Sequence, residues 1–87
     1  MGNQLYAVLL GGKIKADALM EDHKLVFVVA ADEKIARKKA KKKWQAQDIH
    51  VDGTQRIEMI DGYKIVLEDV SARNPKDVLD SNNNYSK

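Results

Sequence analysis

Five consecutive apolar residues, Leu25-Val26-Phe27-Val28-Val29, four of them β-branched or aromatic, constrain the fold more than any other part of the chain. A run without polar alternation predicts a strand buried on both faces, so it needs cover on two sides. The sequence offers one helix to supply that cover. Asp32 can cap it, with Glu33 in the first turn, because a carboxylate there accepts unpaired N–H groups and complements the helix dipole. The spacing predicts a helix to about Gln45, with Ile35 or Ala36, Ala40 and Trp44 forming one narrow apolar stripe. Alanines at that stripe allow the helix to lie close to a sheet.

Other strands flank this unit. Residues 4–10 are mostly apolar and end at Gly11-Gly12, which reads as a strand and a turn. Residues 13–22 read as an irregular connection, and so do residues 48–54. Asp61-Gly62 stands between two β-rich runs, 55–60 and 63–68, and supplies the positive φ angles of a type I′ hairpin turn. A two-residue loop pairs Ile60 with Tyr63, Glu58 with Ile65 and Ile57 with Val66. Asn74-Pro75 can begin a short C-terminal helix through Leu79, and residues 81–87 read as a frayed tail. The expected fold is α+β, in the order β-β-α-β-β: a small, mainly antiparallel sheet with one helix on one face and a short C-terminal helix. Residues 1–70 make the single domain and 71–87 the C-terminal segment.

One helix leaves a sheet face bare. Lined with Leu, Val and Ile, that face would be a large apolar patch, so the expected partner is a second copy, packed as a C2 dimer through the uncovered face or an edge strand.

At 87 residues the chain is too short for two domains. Its 44% hydrophobic and 32% charged content is that of a folded protein rather than a disordered one. It has no cysteine, which excludes disulfides, thiolate metal sites and a cysteine nucleophile. No run approaches the roughly 20 apolar residues of a membrane span, and residues 5–10 are too short for a signal peptide, so a soluble cytoplasmic protein is expected.

Two groups of residues carry chemistry. His23 follows Glu21-Asp22, and His50 stands two residues before Asp52, each at the edge of an apolar stretch. Alternation along an extended chain puts Glu21 with His23, and His50 with Asp52, on common faces. If the four converge, imidazoles and carboxylates can share a metal, or a general base with its orienting acid. Otherwise each histidine pins a nearby loop by a hydrogen bond. The second group is the helix itself, where residues 33–44 hold seven basic residues and one acid. Lys34, Lys38, Lys41 and Lys42 lie near one another on the helix surface and would attract phosphates, with steep salt dependence. A solvated helix face complementing the dipole explains the same run.

Enzyme signatures are missing. Gly11-Gly12-Lys13 lacks the spacing of a P-loop, and Ser71, Ser81 and Ser86 stand in no nucleophile-elbow context. No catalytic residue and no cofactor is assigned.

Leu10-Gly11-Gly12, then Glu21-x-His23 before Val26-Phe27-Val28-Val29, then Trp44, His50-Val51-Asp52 and Ile60-Asp61-Gly62-Tyr63, resembles in order and spacing a small bacterial family, domain of unknown function 1543, over about residues 5–68. The resemblance implies longer members with two copies of the module, in keeping with a dimer, and implies no activity, substrate or catalytic residue. The expected function is a non-catalytic, self-associating binding or interaction module, with a further protein partner as one possibility. Two alternatives stand beside it: a nucleic-acid-associated protein using the lysine helix, and a metal or small-ligand site at Glu21, His23, His50 and Asp52.

Overall fold

The structure is a computed structural model and describes residues 2–71. Along the chain run β1 (Gln4–Lys13), β2 (Asp22–Ala30), α1 (Glu33–Lys41), β3 (Gln47–Ile57), β4 (Met59–Ile60) and β5 (Tyr63–Lys64). β1 is the centre of an antiparallel three-stranded sheet ordered β2-β1-β3, and β4 with β5 forms a separate two-stranded ribbon. This is the small α+β architecture expected. The short C-terminal helix expected after Asn74 lies outside the described residues.

Alternation along the strands decides the core. Tyr6, Val8 and Leu10 of β1 and Val26, Val28 and Ala30 of β2 point to one face and are buried beneath Ala36 and Ala40 of α1. Cross-strand register pairs Tyr6 with Val28 and Val8 with Val26, so the same face is apolar on both strands. Each such Val or Leu contributes about 1.5–3 kcal/mol of burial. Trp44, Ile49 and Val51 close the rim of this core.

Four expectations are corrected. Gly11-Gly12 is no turn: β1 runs through both glycines, and both are buried. Glycine in a strand marks a close approach rather than a bend; a methyl group on Gly12 would stand 3.1 Å from the Gln47 carbonyl and 3.2 Å from the Trp44 ring. Residues 48–54 are no loop but part of β3, antiparallel to β1, with Leu10 opposite Val51 and Val8 opposite Thr54. Ile57 accordingly pairs with Leu5 of β1 rather than with Val66. β2 is buried on one face only, leaving Leu25, Phe27 and Val29 partly exposed. Finally, the helix ends at Lys41, with Lys42 as its cap, so Trp44 reaches the core from the following turn.

The hairpin turn forms as read. Asp61 and Gly62 have φ of 53° and 83°, Ile60 pairs with Tyr63, and the Ile65 N–H donates to the Glu58 carbonyl at 2.9 Å. Asp32 also caps α1 as expected, accepting the Ile35 N–H on Oδ1 at 2.9 Å. Asp32→Ala leaves that donor unpaired and is expected to cost about 1 kcal/mol, measured as a lowered urea midpoint with an unchanged slope.

Candidate functional site

On the sheet face opposite α1, Gly11 is flanked by the two histidines. Its cross-strand partner on β2 is His23, and its partner on β3 is His50. Paired residues point to the same face, so the imidazoles stand on either side of a position with no side chain. Asp52 joins them through an irregularity in β3. Leu9 pairs with Gly53 but Leu10 pairs with Val51, so Asp52 is the extra residue of a β-bulge, a device that re-aims a side chain. Glu21 enters from the residue just before β2.

The four side chains expected from the sequence therefore converge. His50 Nε2 lies 2.5 Å from Glu21 Oε2 and 3.2 Å from Asp52 Oδ1. His23 Nε2 lies 3.2 Å from Asp52 Oδ2 and 4.0 Å from Glu21 Oε1. All four remain a third to a half exposed, so the cluster is a surface site rather than a core network. One donor atom from each of Glu21, His50 and Asp52 lies within 4.8 Å of the others.

Two further residues shape the cluster without having been legible as part of it. Asp48 has a left-handed backbone, φ 54°, at the start of β3, and its carbonyl lies 3.0 Å from His50 Nδ1. A carbonyl only accepts, so this contact puts a proton on Nδ1 and turns Nε2 toward the carboxylates. Gly11 is the second. A methyl group there would stand 2.6 Å from Glu21 Oε2, 2.7 Å from His50 Nε2 and 2.8 Å from Asp52 Oδ2. Only glycine leaves the centre of the cluster open.

The basic helix divides into two sides. Lys39 and Lys43 donate through Nζ to the carbonyls of Val29 and Phe27, at 2.7 and 2.8 Å, and so cover the outer edge of β2. Lys34, Lys38 and Lys41, three of the four lysines singled out, line with Arg37 a groove of about 600 Å³ between α1 and residues 51–54 of β3. Lys42 is the C-cap and does not join that lining. Arg37 also pairs with Glu33 at 3.3 Å.

The Asp48 carbonyl raises the pKa of His50 above its ordinary 6.5, helped by the charges of Glu21 and Asp52 and opposed by partial desolvation. A raised folded-state pKa gives stability that is fully present below 6.5 and is lost as pH rises through the folded value. The His50 ring resonances are thus expected to titrate with a midpoint above 6.5 in NMR. Unfolding midpoints should fall across that midpoint in the wild type, and less steeply in His50→Ala.

No curated protein and no solved structure matches this chain. A family model, Domain of Unknown Function (DUF1543), matches residues 18–67, a segment that carries Glu21, His23, His50 and Asp52 together with α1 and the hairpin turn. Because that match covers more than half of the chain, the protein belongs to the DUF1543 family.

Proposed function

We propose that this protein is a non-catalytic binding module that self-associates through the sheet face not covered by its helix. The observation that carries the reading is the shape of that face. Leu9 pairs with Leu25, Ala7 with Phe27 and Leu5 with Val29, which makes an uncharged strip in a chain that is 32% charged. Phe27 supplies the aromatic ring of the strip, 39% exposed. Next to it is a shallow hollow of about 290 Å³ bordered by Ala7, Leu9, Leu25, Gly53 and Gln55, created by the small residues Ala7 and Gly53. An aromatic ring beside a hollow on one uncharged face suits a two-fold axis, where each copy receives the ring of the other. A charged partner surface would lose its hydration there with nothing to pair against. Pairing through the β2 edge is disfavoured by Lys39 and Lys43.

Sedimentation equilibrium tests the reading. The wild type is expected to be a dimer at micromolar concentration and Phe27→Glu a monomer. Gly53→Val provides a second variant, because a Cβ at Gly53 meets nothing within 4 Å inside its own chain. It should therefore fold normally while filling the hollow and weakening the dimer. A wild-type monomer at high micromolar concentration would overturn the reading.

A second reading rests on the groove lined by Lys34, Lys38 and Lys41 with Arg37, whose positive charges would attract a phosphate backbone. Duplex DNA binding is then expected to persist at physiological salt and to be lost when Lys34, Lys38 and Lys41 are reversed to glutamate. Binding that vanishes at that salt in the wild type counts against it.

A further inference from the structure

We propose that Glu21, His50 and Asp52 form a binding site for a divalent transition-metal ion of the zinc class, centred over the bare backbone of Gly11. The site lies on the same face as the apolar strip and does not depend on self-association.

Proton bookkeeping leads to a cation. His50 Nδ1 faces the Asp48 carbonyl at 3.0 Å and keeps its hydrogen there, so once the ring is neutral Nε2 presents a lone pair. That lone pair faces carboxylate oxygens of Glu21 at 2.5 Å and Asp52 at 3.2 Å, which are acceptors as well. Three acceptors turned toward one another repel unless something positive lies among them. A single proton satisfies one pair of them; a metal ion satisfies all three.

The space is also suited to an ion. The point where a Gly11 Cβ would stand lies 2.6–2.8 Å from one atom of each residue, so the donors surround a common centre. An ion standing farther from the backbone than that point, with the half-exposed donors opening from their present close spacing, would take the roughly 2.0–2.2 Å of zinc–nitrogen and zinc–oxygen bonds. The supporting contacts have the form that metal ligands require. A backbone carbonyl fixes the ring of His50, and His23 Nε2, 3.2 Å from Asp52 Oδ2, steadies the carboxylate.

Ligand chemistry sets the metal. One imidazole nitrogen with two carboxylates suits zinc, cobalt or nickel, whereas calcium and magnesium favour all-oxygen sites. Protein atoms would fill three positions, and the exposure of the cluster leaves the remainder to water or an exogenous ligand. The ion would also tie β2 to β3 across the central strand, since Glu21 adjoins one outer strand and His50 and Asp52 belong to the other.

The experiment uses the full chain stripped of metal, titrated with Co²⁺ by absorption and with Zn²⁺ by calorimetry. One ion per chain is expected, with a Co²⁺ d–d spectrum, a rise in melting temperature on adding Zn²⁺, and no competition from Mg²⁺ or Ca²⁺. His23→Ala, which removes a neighbour of the two carboxylates but no ligand, should weaken binding about 10- to 100-fold, and His50→Ala should weaken it more. Gly11→Ala isolates the geometry. Its methyl group meets only the ends of flexible side chains, so the fold is kept, as circular dichroism would check, while the centre of the site is filled and binding is lost. Phe27→Glu should bind as the wild type does, separating this site from the dimer. Absence of saturable Co²⁺ and Zn²⁺ binding, or binding unchanged by both Gly11→Ala and His50→Ala, would overturn the proposal.

Discussion

Everything in this protein depends on β1 being hydrogen-bonded along both of its edges. β2 and β3 share no backbone ladder; each takes its register from β1. That register puts Tyr6, Val8 and Leu10 under the helix and leaves Leu5, Ala7, Leu9 and Gly11 on the other face. A strand has two faces and the chain has one helix, so one face becomes a core and the other becomes a working surface.

The glycines show how a packing requirement becomes a site. Gly12 admits Trp44 and the Gln47 backbone, which brings the start of β3 against β1. Gly11, pointing the opposite way, leaves a gap between His23 and His50. The bulge at Asp52 and the left-handed Asp48 then aim two side-chain groups into that gap. A residue bearing a Cβ at position 11 would pair as well along the strand but would fill the gap. Gly11, the bulge and the Asp48 backbone thus act on the four polar side chains, while Gly12 serves the packing of β3 on β1.

The lysine helix illustrates how one feature serves separate ends. Two lysines, Lys39 and Lys43, lean over the side of the sheet and satisfy carbonyls that β2 would otherwise present to another strand. Others turn toward β3 and line a basic groove. A run of like charge on a short helix is thus divided by the helical period into an edge guard on one side and an electropositive wall on the other. On the described residues, no helix is long and apolar enough to cross a membrane.

Local sequence determined what local physics controls. The β-branched run at 25–29, the Asp32 cap and the Asp61-Gly62 turn were all legible, because each rests on backbone preferences within a few residues. The four members of the cluster were legible as candidates by residue type and spacing. What tertiary structure decided was everything requiring register. Gly11-Gly12 resembles a turn until β3 is known to lie alongside, and residues 48–54 resemble a loop because Asp48, Asp52 and Gly53 are poor strand formers. A third strand in that segment, paired with β1 and bulged at Asp52, is favoured by contacts some 40 residues distant in the chain, which no local pattern encodes. For the same reason the convergence of His23 and His50 on Gly11 belongs to the fold alone: residues far apart in sequence meet only because two strands take their positions from a third.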